Sequence, residues 1–133
     1  MSHRFQLRVY YEDTDLAGIV YYANYLKFIE RARSEWVRDL GIDQSELRTK
    51  QGVIFAVRRI EADYLRPARF GDDLVVSTQP KRATGVRAML AQRVNRGEEL
   101  LFSAAVTLVA VGASGAPVRL PDALQRIFAA SVD

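Results

Sequence analysis

The chain has no cysteine and a single histidine, His3, among its 133 residues. Without thiols there is no disulfide framework, no thiolate nucleophile and no thiolate metal site. A Ser-His-Asp triad or a histidine-based metal site would have to be built around His3, close to a terminus, where chains are commonly solvated. Long apolar runs are missing too. Nothing approaches the roughly 20 residues of a membrane-spanning helix, and residues 1–9 lack the apolar core and cleavage site of a secretory signal, so a cytoplasmic protein is expected. Charge of one sign is also scarce: nineteen Lys and Arg face sixteen acids for a net charge of +3, with no basic block. A mild, dispersed excess of this kind suits a small anionic ligand better than nucleic acid.

What is present suffices for one core. At 49% hydrophobic and 26% charged the composition is that of an ordinary globular chain, and the length fits a single domain over residues 1–133. Phe5, Leu7, Val9 and Tyr11 alternate with polar neighbours, the period of a half-buried strand. From Asn24 the period changes. Tyr25, Ile29, Ala32, Trp36 and Leu40 recur three or four apart and predict an amphipathic helix closed by Gly41, a rod of about 25 Å. A helical turn is expected around Ser45 to Lys50, then strands over Val53–Leu65, Leu74–Gln79, Val86–Asn95 and Leu100–Val111. The last of these is apolar on both parities and is therefore expected at the centre of the sheet. A short helix over Asp122–Ala130 would complete an α+β layout in which a curved antiparallel sheet wraps one long helix.

The segment that can carry chemistry is Tyr11 to Tyr25, YEDTDLAGIVYYANY. Asp15 offers a carboxylate able to act as base or nucleophile, and Gly18 permits a tight turn or close ligand approach. A helix starting near Tyr22 would present unpaired backbone N–H groups and the positive end of its dipole to a carbonyl oxygen. Asp-x-Asp before a helix is also a common capping or turn sequence, so spacing alone leaves both readings open. A calcium loop is excluded, because the later oxygen ligands and the terminal Glu are absent.

The run VYYEDTDLAGIVYYANYLKFIERARSEWVRDLGI, with YLRPARFGD and the strand around Gln92 to Asn95, resembles the 4-hydroxybenzoyl-CoA thioesterase group of hot-dog proteins. Within that group it is similar to the YbgC-type, Tol-Pal-associated acyl-CoA thioesterases. The resemblance implies a hot-dog fold of about five strands, active sites at a dimer interface, and a homodimer or a homotetramer built as a dimer of dimers. It also implies hydrolysis of an acyl-CoA thioester without metal or redox cofactor, coenzyme A being part of the substrate. Asp15 then matches the acid that attacks the thioester or activates water, and Tyr22 the residue whose N–H polarises the carbonyl. Gly18 and Val20 are assigned to the substrate, as are Lys81, Arg82 and Arg87 of the hairpin that in related enzymes meets coenzyme A phosphates. Arg66 and Arg69 are alternatives for that role. Asp13 is left to loop structure, Glu30 and Glu35 to ion pairs, and Tyr10, Tyr11, Tyr21 and Tyr25 to core or acyl-pocket wall. One position departs from the YbgC type: many such relatives carry His where this chain has Tyr22, whereas the hydroxybenzoyl-CoA branch carries Tyr. Two other functions fit the same fold. A hydratase would need a catalytic His that this chain offers only in His3, and a non-catalytic module would bind acyl-CoA or an acyl carrier protein without turnover.

Overall fold

A computed structural model describes residues 2–131. The strands are β1 (His3–Arg8), β2 (Ile54–Tyr64), β3 (Asp73–Ala83), β4 (Arg87–Arg96) and β5 (Glu99–Val111). They form one antiparallel sheet in the order β1-β3-β4-β5-β2. The helices are α1 (Asn24–Asp39), α2 (Gln44–Gln51) and α3 (Asp122–Ser131).

Helix α1 lays Tyr25, Phe28, Ile29, Ala32, Trp36 and Val37 on the inner face of the sheet, where Val76, Leu90, Val94, Phe102 and Val106 are buried. It ends as the sequence predicts. Gly41 takes a left-handed φ of 86°, its N–H donates to the Arg38 carbonyl, and the Ile42 N–H reaches back to Val37. That paired arrangement satisfies carbonyls the helix would otherwise leave open, and Ile42 packs on the core beside it. One polar cluster lies inside: Arg33 Nη1 donates to Gln92 Oε1 at 2.9 Å, while Gln92 Nε2 reaches the Ile29 carbonyl and Thr78 Oγ1. Burial lowers the pKa of Arg33 from its ordinary value, partly opposed by the charge of Glu30.

Several elements differ from their sequence forecasts for identifiable reasons. The helical turn expected around Ser45 is two full turns, capped by Asp43 Oδ1 accepting from the Glu46 N–H at 3.1 Å. Strand β3 runs four residues past Gln79, through Pro80. A register shift between Pro80 and Arg82 accommodates the proline, and among the described residues β1 pairs no further than Thr78, so none of them needs the missing N–H on that side. The uneven alternation of β2 is a bulge between Val57 and Arg59. Strand β5 is interior, paired to β4 and β2, but the middle strand is β4. Only one face of β5 is buried along most of its length; its adjacent buried pair Leu101 and Phe102 coincides with a register shift opposite Val94 and Asn95. The period of two ends at Val9, and Tyr11 stands 81% exposed in a 3-10 turn over Tyr11–Asp13.

Candidate functional site

The loop between β1 and α1 is built as a small closed arch. Its base is the Tyr21 N–H donating to the Asp13 carbonyl at 2.9 Å, with Thr14 and Val20 bridged above it. Asn24 Nδ2 adds a second bond to the Asp13 carbonyl, and the buried Asp13 carboxylate accepts the Tyr10 N–H at 2.8 Å. Asp13 is therefore committed to holding the arch.

Asp15 lies on the arch itself. Its N–H donates to the Ile19 carbonyl, its carbonyl accepts the Gly18 N–H, and Gly18 turns the chain at φ 80°. The carboxylate is exposed: Oδ1 accepts the Ala17 N–H at 2.9 Å, while Oδ2 has no partner among the described residues. Val20 sits in the opposite arm, 3% exposed, and clamps the arch to the body through its N–H and the Ala68 carbonyl.

Tyr22 precedes α1 by two residues; the helix starts at Asn24, where the period of the sequence changes, rather than at Tyr22 itself. Ala23 already has helical dihedrals, and the Asn24 N–H donates to the Tyr21 carbonyl at 2.8 Å. In a planar trans peptide that bond points the Tyr22 N–H the opposite way, out of the helix mouth. Among the described residues neither the Tyr22 nor the Ala23 N–H has an acceptor. An exposed carboxylate and free N–H donors thus share one arch.

Beside them opens a cavity of about 300 Å³ lined by Ile19, Val20, Tyr22, Tyr25, Tyr64, Leu65, Arg66 and Pro67. Its aromatic wall continues inward: Tyr25 stacks on Phe102 with centroids 4.9 Å apart, and Tyr64 meets Tyr22, Tyr25 and Phe102 edge-on. Arg66 at the rim pairs with Glu99, which also binds Arg96; the hydrogen bond from Arg96 is the main cause of a lowered Glu99 pKa. Tyr25 is core and cavity wall at once, whereas Tyr10, Tyr11 and Tyr21 are largely exposed and outside the core. Glu30 accepts from Ser34, and Glu35 pairs with Arg38 on the exposed side of α1.

Lys81, Arg82 and Arg87 are elsewhere. Lys81 and Arg82 lie at the far end of β3, about 26–30 Å of strand from its start at Asp73, and Arg87 opens β4 across the same hairpin. Among the described residues none of the three makes an ion pair. Nor do three His, Cys, Asp or Glu side chains gather there as a metal-holding group. The sequence reading assigned no role to Tyr64, although it opens the YLRPARFGD segment; its place on the cavity follows from the pairing of β2 with β5.

The thioesterase superfamily model matches residues 17–103. The Haemophilus influenzae protein named acyl-CoA thioesterase YbgC is 38% identical over 125 residues, covering 93% of this chain and 92% of its own length. Acyl-CoA thioester hydrolase YbgC of Escherichia coli is 40% identical over 106 residues, 80% of this chain and 78% of that protein. The crystal structure of a probable thioesterase from Bartonella henselae superposes with a TM-score of 0.88 at 39% identity, covering 91% of this chain and all of that one. The fold is the hot-dog fold, and the chain belongs to the thioesterase superfamily.

Proposed function

We propose that the protein hydrolyses acyl-CoA thioesters to a free carboxylic acid and coenzyme A, with Asp15 as nucleophile or general base. The observation that carries the reading is the shared arch, which holds a free carboxylate oxygen and two unpaired N–H groups and whose Ile19, Val20 and Tyr22 line an apolar cavity. The acyl group enters the aromatic-walled cavity, and the thioester carbonyl lies on the Tyr22 N–H, where negative charge developing on its oxygen meets the positive end of α1. Asp15 attacks the carbonyl carbon or takes a proton from the water that does. The thiolate of coenzyme A leaves; where Asp15 is the nucleophile, water then hydrolyses the acyl–Asp15 anhydride, releasing the acid and restoring the carboxylate. No step calls for a metal or a redox cofactor, and the names of the YbgC relatives support the reaction class.

The active unit is proposed to be a homodimer or homotetramer. Tyr11 and Phe70 stack at 4.5 Å yet are 81% and 53% exposed, and Leu16 beside Asp15 is fully exposed. Strand β2 also leaves one edge without a strand partner among the described residues. A second copy on this surface would exclude water from the arch, strengthening its electrostatics. It is also the way the Lys81, Arg82 and Arg87 hairpin of one protomer would reach phosphates held at the arch of another. An acyl carrier protein could present the same thioester. No helix of the described residues is long and apolar enough to cross a membrane, and the proposed compartment is the cytoplasm.

The test is thiol release from acetyl-, hexanoyl-, palmitoyl-, benzoyl- and 4-hydroxybenzoyl-CoA. Turnover of at least one member is expected. Tight binding of the panel with every thioester left intact would replace the enzyme with an acyl-CoA binding module.

A further inference from the structure

The Tyr22 carbonyl stands outside the helical hydrogen-bond ladder. The Leu26 N–H, four residues on, turns instead to the Ala23 carbonyl at 3.1 Å. Among the described residues the only donor on the Tyr22 carbonyl is the hydroxyl of Tyr64, at 3.0 Å. Tyr64 comes from the far end of β2, forty-two positions along the chain, so a sheet residue holds the first peptide of the helix mouth.

We propose that Tyr64 is a positioning residue: its hydroxyl fixes the Tyr22–Ala23 peptide and thereby aims the N–H groups of the helix mouth at the thioester carbonyl. The inference rests on the proposed reaction at this site. Two bonds then set the two neighbouring peptides. The Asn24 N–H on the Tyr21 carbonyl orients the Tyr22 N–H, and Tyr64 on the Tyr22 carbonyl orients the Ala23 N–H, since carbonyl and N–H of a trans peptide point in opposite directions. The ring of Tyr64 is itself held by edge contacts to Tyr25 at 5.6 Å and Phe102 at 5.0 Å, both buried. Burial, and after it the neighbouring Tyr22, raise the Tyr64 phenol above its ordinary pKa, so it stays protonated and able to donate. Rigid donors stabilise a developing oxyanion without reorganising during reaction, which is where this bond acts.

Tyr64→Phe removes the hydroxyl and keeps the ring contacts. Thiol release should show kcat lowered about tenfold or more, as expected for a disturbed oxyanion donor, with KM and the thermal midpoint close to wild type. Backbone amide order parameters from NMR should fall at Tyr22 and Ala23 in Tyr64→Phe and stay high there in Asp15→Asn. Wild-type kcat in Tyr64→Phe overturns the proposal, as does a loss confined to KM, or order parameters at Tyr22 and Ala23 that do not move. If the wild-type protein hydrolyses none of the panel, the reaction fails as a reading. The amide measurement then still decides whether Tyr64 holds the peptide.

Discussion

The two ends of the sheet are finished differently. At the end holding the β3–β4 hairpin the molecule closes on itself: α3 follows the loop after β5 and buries Leu124 and Phe128, with Phe128 edge-on to Trp36. At the other end the arch and the start of β3 leave Tyr11, Leu16, Tyr22, Tyr64, Leu65 and Phe70 about half exposed or more. The hairpin end exposes fewer large apolar side chains, Ile54 and Val57 of β2 at 46% each. The open end combines the proposed catalytic groups with uncovered apolar surface, and it is this surface that the proposed second copy would cover.

The sharpest way to break the comparison is to damage the core behind the open end. Phe102 is fully buried in β5 and stacks on Tyr25. Phe102→Ala should cost about 3–5 kcal/mol of stability by chemical denaturation, through lost burial and the cavity left behind. Paired changes at the open end should act on assembly. Tyr11→Ser with Phe70→Ser should weaken the proposed dimer by roughly a hundredfold in its dissociation constant by analytical ultracentrifugation, with the circular dichroism of the protomer unchanged. An unaltered assembly would mean that the open end faces water. Replacing Lys81, Arg82 and Arg87 together by Ala should raise KM for acyl-CoA about tenfold, an effect that shrinks in high salt because it is electrostatic. A variant with unchanged KM would leave the phosphates to Arg66 or Arg69. The smallest effect expected is away from the arch: Asp43→Ala, which removes the cap of α2, should cost about 1 kcal/mol in thermal or chemical unfolding.

These regions were unequally legible in the sequence. The helix period of α1 and its Gly41 stop were readable because packing and capping obey local rules, and the observed Gly41 and Ile42 bonds follow them. The extent of β3 was not, since Pro80 reads as a breaker until the end of β1 and the neighbouring register shift are known. Asp15 and Tyr22 stood out through a motif, yet no spacing rule shows that Asp13 spends its carboxylate on the Tyr10 N–H while Asp15 keeps one oxygen free. Tyr10, Tyr11 and Tyr21 look like core residues by type, and only the arch shows them outside it. Tyr64 stands in the YLRPARFGD segment, but its bond to Tyr22 is invisible to local reading because it is a product of strand register.

The central claim is that the free oxygen of Asp15 drives thioester cleavage. The most direct measurement is thiol release by Asp15→Asn beside wild type, on the best substrate of the acyl-CoA panel, with circular dichroism and thermal unfolding of both proteins. Asp15→Asn keeps the side chain's shape and the oxygen that accepts the Ala17 N–H. A folded variant with kcat lowered by roughly a thousandfold or more, about 4 kcal/mol in the barrier, is the expected result. Turnover within a few-fold of wild type would contradict the assignment and require a different group to attack the thioester.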